Sequence, residues 1–210
     1  MADKYVALTF DDVPQSKSEQ LLDILKENNV KAAFFAVGQY IRRNPDAIKR
    51  MIAEGHEIGN HSDDHSFLGV KGKLNEREIR QNLAAVQEAV KSITGSCPVY
   101  FRAPYFDYSD ELLVIAKEMG MPVIGAAIDS QDWAASITTG QIVSNVMNTA
   151  KDGGIIVLHE HSEGDLDRTI RAIPLIVNEL RREGYEIMSL GELVKRKGVC
   201  LEAGKIYNSI

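Results

Sequence analysis

A short apolar run that ends in two adjacent aspartates constrains this chain more than any other feature. Residues 5–10 are β-forming, Asp11 and Asp12 follow at once, and Pro14 ends the extended segment. Parallel α/β proteins build their sites from strands that deliver polar groups at their C-terminal ends. Adjacent side chains on an extended chain point to opposite sides, so Asp11 and Asp12 are expected to have different partners. The competing reading is that one of them only N-caps the helix that follows.

The same punctuation recurs down the chain. Helices are predicted over residues 16–28 (capped by Ser16 or Ser18), 45–54, 75–93, 109–119 and 165–183, and from Thr138 or Thr139 to about residue 151. Asn75 and Glu78 have the spacing of a capping box, and Pro174 is expected to kink or split the 165–183 helix. Short strands are predicted at 32–37, 56–58, 100–101, 122–128, 154–158 and 185–188. Ser189 begins a short last helix, and the tail after Gly198 is expected to pack back on the body. This alternation predicts an α/β fold, a parallel sheet wrapped by helices and either open or closed as a barrel, in one domain over 1–210.

Composition narrows the function classes. A net charge of −6 argues against nucleic acid or polyanionic partners. No apolar run reaches membrane-spanning length, and residues 1–4 lead straight into the first strand without a legible signal peptide. The expectation is a cytosolic protein or a domain of a longer exported one. Cys97 and Cys200 fit no metal spacing and are expected to be two separate buried thiols rather than a disulfide.

Capable polar groups follow the strand ends: Asp11 and Asp12, His61, Arg102, Asp129 and Asp132, and His159. In a parallel barrel those ends converge on one face. His61 and His65 are spaced i, i+4, which on a helical turn lets two imidazoles hold one ion. With one carboxylate of the Asp11/Asp12 pair they make a three-ligand catalytic site suited to Zn²⁺, and also to Co²⁺, Mn²⁺ or Ni²⁺. The other carboxylate would then take a proton from water, held by Arg102 as its ion partner. Which aspartate does which is open at this point. His159 suits a general acid, with Asp132 to orient it. Trp133 either walls a pocket or packs in the core.

These residues resemble the five ordered motifs of the NodB-type polysaccharide deacetylases, carbohydrate esterase family 4. The match lies in Thr9-Phe10-Asp11-Asp12, His61-Ser62 with His65, Arg102 with Pro104-Tyr105, Asp129-Ser130 with Asp132-Trp133, and Leu158-His159. The resemblance implies a distorted (β/α) barrel with fewer strands than a TIM barrel, and metal-dependent removal of acetyl groups from a polysaccharide. By motif, Asp11 is implied as the base, with Asp12, His61 and His65 as metal ligands and Arg102 as the tether of Asp11. The backbone N–H of Tyr105 is implied as an oxyanion donor, Asp132 as the support of the acid His159, and Trp133 and Leu158 as walls of the acetyl pocket. The sequence departs from the family pattern in three places. Val13 stands where Gly is usual, so the first loop is expected to avoid positive φ. Phe106 follows Tyr105 where Gly is common, and Glu160-His161 follows His159 in place of an aspartate.

The leading reading is a monomeric hydrolase acting on an acetylated polysaccharide, foremost an N-acetylglucosamine polymer of the peptidoglycan or chitin type, as a wall-associated domain of an exported bacterial protein. The alternatives are an acetylxylan O-deacetylase and a non-catalytic sugar-binding relic of the fold.

Overall fold

The computed structural model describes residues 4–160 and 166–210. The described elements are β1 (Lys4–Val13), α1 (Ser18–Glu27), β2 (Ala33–Ala36), α2 (Gly38–Arg43), α3 (Pro45–Ala53), β3 (Glu57–Asn60), α4 (Glu76–Thr94), α5 (Asp110–Glu118), β4 (Val123–Ile124), β5 (Ile128–Asp129), α6 (Thr139–Thr149), β6 (Gly154–His159), α7 (Leu166–Arg182), β7 (Tyr185–Met188), α8 (Leu190–Lys197) and β8 (Ile206–Tyr207). His161 and Asp165 lie outside the described residues.

All the paired strands are parallel, in the order β3-β2-β1-β6-β5. β7 pairs the first half of β1, on the edge that β2 takes further along. Single parallel bridges from Asn60 to Phe101 and from Phe101 to Val123 carry the curved sheet on to β4. There the ring is interrupted: β8 pairs β4 on its remaining edge, and no ladder joins β4 to β5 among the described residues. The predicted distorted barrel is therefore present, and its distortion is this break.

Both faces of the central strands are buried. On the outer face Val6, Leu8, Phe10, Phe34, Ile156 and Leu158 pack under the helices with Leu21, Leu25, Ile173 and Val177. On the inner face Ala7, Ala33, Phe35, Ile124 and Ile155 fill the barrel. Thr9, Asp11 and His159 continue that inner face, so the polar layer sits on an apolar plug at the C-terminal end.

Several local expectations hold and several are corrected. The Asn75/Glu78 capping box opens α4, Thr138 caps α6, and the tail returns through β8 and a bridge from Ser209 to Gly154. Ser18 does not cap α1: its hydroxyl donates to Glu160 Oε2 at 2.6 Å, and Lys17 stands at the N-cap without a side-chain capping bond. The strand predicted at 122–128 is two short pieces, and 100–101 contributes only the bridges of Phe101. Helix α7 runs unbroken through Pro174. Ile170, Ile173, Ile176, Val177 and Leu180 are buried along it, and that burial outweighs one lost backbone bond. The two cysteines are unpaired as expected, but both are exposed, because each lies in a polar loop after a helix.

Candidate active site

The two carboxylates at the end of β1 share one rim because the strand bulges there. Asp11 pairs with Phe35 and Val13 with Ala36, which leaves Asp12 as the extra residue. Its φ of 64° is the left-handed conformation that aspartate tolerates better than most residues. The bulge defeats simple alternation and turns Asp12 toward the side that Asp11 already faces. Val13 avoids positive φ, as its side chain requires, because Asp12 adopts it instead.

His61 and His65 meet Asp12 from a loop, not from a helical turn. Ser62 and His65 are left-handed, with φ of 66° and 60°. Asn60 anchors this loop on α4: its Nδ2 donates to the Leu83 carbonyl at 2.9 Å, and its Oδ1 accepts from Ser62 N at 3.0 Å. His61 Nδ1 lies 2.8 Å from the Arg102 carbonyl, which can only accept. The proton of the neutral ring is therefore on Nδ1, and Nε2 presents a lone pair. That lone pair faces Asp12 Oδ1 at 3.5 Å, and His65 Nε2 lies 3.0 Å from the same oxygen. Asp12 Oδ1 is buried, and among the described residues no hydrogen-bond donor satisfies it. One ligand atom from each of the three side chains falls within 4.8 Å of the others. Acceptors converging on one buried point fit a divalent cation, and a backbone carbonyl fixing the tautomer of a ligand histidine is the usual outer support.

Arg102 is fully buried and ties β1 to the end of β4. Nη1 donates to Asp11 Oδ1 at 2.6 Å and to Thr9 Oγ1 at 2.8 Å. Nε donates to the Ile124 carbonyl at 3.1 Å, and Nη2 to the Gly125 carbonyl at 2.9 Å. Phe35 lies under the guanidinium, 4.0 Å from ring centroid to Cζ. These bonds explain the short β4: its last carbonyl and the next are spent on a side chain rather than on a strand.

Opposite, His159 and Asp132 form a second pair. His159 Nδ1 is 2.7 Å from Asp132 Oδ1, and the His159 backbone N–H donates to Oδ2 at 2.8 Å. The hydroxyls of Ser130 and Thr169 each donate to Asp132 at 3.0 Å. Burial pushes the His159 ring toward neutrality, but Asp132, with smaller help from Asp11 and Asp12, raises its pKa to about 9. Burial likewise raises Asp132, and the charge and hydrogen bonds of His159 outweigh it and hold the carboxyl below its ordinary range.

Between the two halves lies a cavity of about 550 Å³ lined by Asp11, Asp12, His61, His65, His159, Tyr105 and Trp133, and also by Gln15, Tyr40, Phe106 and Asp129. Trp133 is 55% exposed, which removes the core reading. Tyr105 stacks on Phe67 at 4.1 Å and lies 4.7 Å from the His65 ring. Tyr105 and Phe106 take φ of 58° and 53° where glycine would be at ease. Leu158 is not at the pocket: alternation along β6 puts it opposite His159, in the outer core. Sequence reasoning missed Gln15 and Tyr40, which carry no spacing signal. It also missed Thr9, although its position two residues before Asp11 places it on the same strand face.

The polysaccharide deacetylase family profile matches residues 1–124, and the chain belongs to that family. It is 35% identical over 97% of its length to a peptidoglycan-N-acetylglucosamine deacetylase of Listeria monocytogenes, and it spans 41% of that protein. It is 32% identical to a chitooligosaccharide deacetylase of a Bradyrhizobium species, with 90% of each chain covered. Among solved structures, a family 4 acetyl xylan esterase from Clostridium thermocellum, in complex with a cobalt ion, superposes with a TM-score of 0.91 at 34% identity, covering 99% of both chains.

Proposed function

We propose that this chain is a metal-dependent deacetylase domain that removes acetyl groups from a polysaccharide, with N-acetylglucosamine polymers as its substrate class. The observation that carries the reading is the facing arrangement itself. A three-acceptor cluster with an arginine-held carboxylate stands across one cavity from a carboxylate-held histidine. A non-catalytic relic has no need to keep every one of these groups in register.

In this reading Asp12, His61 and His65 hold one divalent ion, zinc first among those that imidazole and carboxylate accommodate. When bound, such an ion would polarise a carbonyl and acidify water. Asp11 takes the proton of the attacking water through Oδ2, because Arg102 occupies Oδ1. The backbone N–H of Tyr105, on the left-handed turn at the rim, is the donor toward the developing oxyanion. His159, charged and oriented by Asp132, gives its proton to the departing sugar nitrogen as the acetyl–nitrogen bond breaks. Trp133 and Tyr105 bound the space for the acetylated sugar.

The names of the Listeria and Bradyrhizobium relatives support N-acetylglucosamine glycans, and the first supports a place at the cell wall. The similarity to an acetyl xylan esterase keeps O-deacetylation as the second reading. The single domain is proposed to act as a monomer, and no described helix is long and apolar enough to cross a membrane.

Acetate release from N-acetylglucosamine oligomers, peptidoglycan and acetylxylan at controlled metal tests this. The expected result is release from the N-acetylated glycans that a chelator abolishes and zinc or cobalt restores. Chelator-resistant release would remove the metal site, and release from acetylxylan alone would reverse the substrate order.

The acid role has its own prediction. The acid must be protonated, so the alkaline limb of kcat/KM follows His159, whose pKa Asp132 raises to about 9. Asp132→Asn removes the raising partner, and His159 then loses its proton at lower pH. The alkaline limb is expected to shift toward or below the ordinary imidazole value of about 6.5. A bound cation offsets the share of Asp11 and Asp12, so both proteins are compared at equal metal loading. An alkaline limb that stays in place would take His159 out of the role.

A further inference from the structure

The loop between β1 and α1 carries a side chain that none of these roles uses. Gln15 lines the cavity beside Asp12. Its Nε2 donates to the Asp12 carbonyl at 2.8 Å and also to the Glu160 carbonyl. Both partners can only accept, so chemistry fixes the amide with its nitrogen toward the strand ends and Oε1 turned away from them. Among the described residues no donor reaches Oε1.

The rest of the residue is held as firmly. Its backbone N–H donates to Ser18 Oγ at 3.0 Å, and the Ser18 hydroxyl donates in turn to Glu160 Oε2. Glu160 Oε1 accepts from the Lys17 backbone N–H at 2.8 Å, and Glu160 has no solvent exposure. A fully buried carboxylate thus anchors the whole loop from beneath. A glutamine side chain ordinarily keeps much rotational freedom. This one has lost it before any ligand arrives, with one acceptor unspent at a cavity wall, so ordering it at binding costs little.

Its place says which part of a ligand it would meet. Asp12 lies in β1 just past its last pair with β6, Glu160 follows the end of β6, and the amide bridges them between the metal-ligand side and His159. The group that departs in deacetylation must lie in that same interval. We propose that Gln15 Oε1 is a specificity-determining acceptor for a hydrogen on the sugar bearing the scissile acetyl group, either the acetamido N–H or an adjacent hydroxyl. The inference rests on the deacetylase reading.

The test compares wild type with Gln15→Met, which keeps the length and removes the acceptor. Both are assayed at equal metal loading on an N-acetylglucosamine oligomer, an O-acetylated xylo-oligomer and an aryl acetate without sugar hydrogens. The variant is expected to lose kcat/KM by roughly three- to tenfold on the oligomer, chiefly through KM, as one hydrogen bond implies. Its loss on the aryl acetate should be at least threefold smaller. A selective loss confined to the N-acetyl substrate supports the acetamido N–H, and a selective loss on both sugars supports the hydroxyl. Equal losses on all three would mean that Gln15 only braces the loop, and undiminished turnover of both sugars would equally overturn the assignment. A wild type inactive on all three would instead overturn the deacetylase reading, and the role of Gln15 with it.

Discussion

Replacing Asp11 with asparagine is expected to lower kcat roughly a thousandfold while the protein keeps the proposed metal. The amide preserves the shape of the side chain and an oxygen for the Arg102 bond, but it cannot take a proton from water. Loss of a general base costs on the order of 10²–10⁴ in rate. Metal retention follows from geometry. Asp12, not Asp11, brings its carboxylate to His65 at 3.0 Å, whereas the shortest separation of Asp11 from His61 is 3.9 Å. His61→Ala should do the reverse of Asp11→Asn and lose metal, because it removes one of the three proposed ligands. Elemental analysis and acetate release on the two variants therefore separate base from ligand. An Asp11→Asn protein that lost its metal, or that turned over within tenfold of wild type, would reverse the assignment of the two aspartates.

That assignment marks the limit of what the residues alone disclose. The strand, the acidic pair and the recurrence of polar groups after strands are legible, because apolar runs and their terminators are local signals. The His61/His65 cluster is legible by type and spacing, but its geometry is not. The pair meets through left-handed residues at Ser62 and His65 rather than on a helical turn, and the tertiary bonds from Asn60 to Leu83 and from His61 to Arg102 hold that loop. The bulge at Asp12 is hidden for a similar reason: positive φ at an aspartate is a property of the sheet around it. Residues 122–128 look like one strand because every residue there is apolar or small. The carbonyls of Ile124 and Gly125 instead go to a side chain whose own position depends on β1. Leu158 follows the family motif in sequence, yet strand alternation sends it to the other face. The Gln15–Ser18–Glu160 network joins residues more than 140 apart, and no periodicity reports that.

Arg102→Met is expected to destabilise the fold by about 3–5 kcal/mol, besides abolishing most turnover, because it removes one partner of a buried pair. The methionine fills similar volume, so the cost is electrostatic and polar rather than a cavity. Asp11 is left as an uncompensated carboxylate with 2% exposure, and the carbonyls of Ile124 and Gly125 lose their donor at the barrel's break. In a domain of this size that is a fall in Tm of roughly 10 °C. The same substitution made on Asp11→Asn should cost less, since the stranded charge is then already gone. The difference between the two costs measures the Asp11–Arg102 coupling apart from the bonds to β4. Arg102→Lys keeps the charge but lacks the planar fork that reaches β1 and β4 together, so it should restore only part of both stability and rate. If Arg102 merely packed against Phe35, Arg102→Met would cost about the same small amount in both backgrounds, and a cycle with no coupling would end the claim that it holds Asp11. A coupling above about 1 kcal/mol, accompanied by loss of turnover at unchanged metal loading, would place one guanidinium in two tasks. It would tie β1 to the end of β4, and it would hold one carboxylate oxygen of Asp11 while leaving the other free to accept a proton.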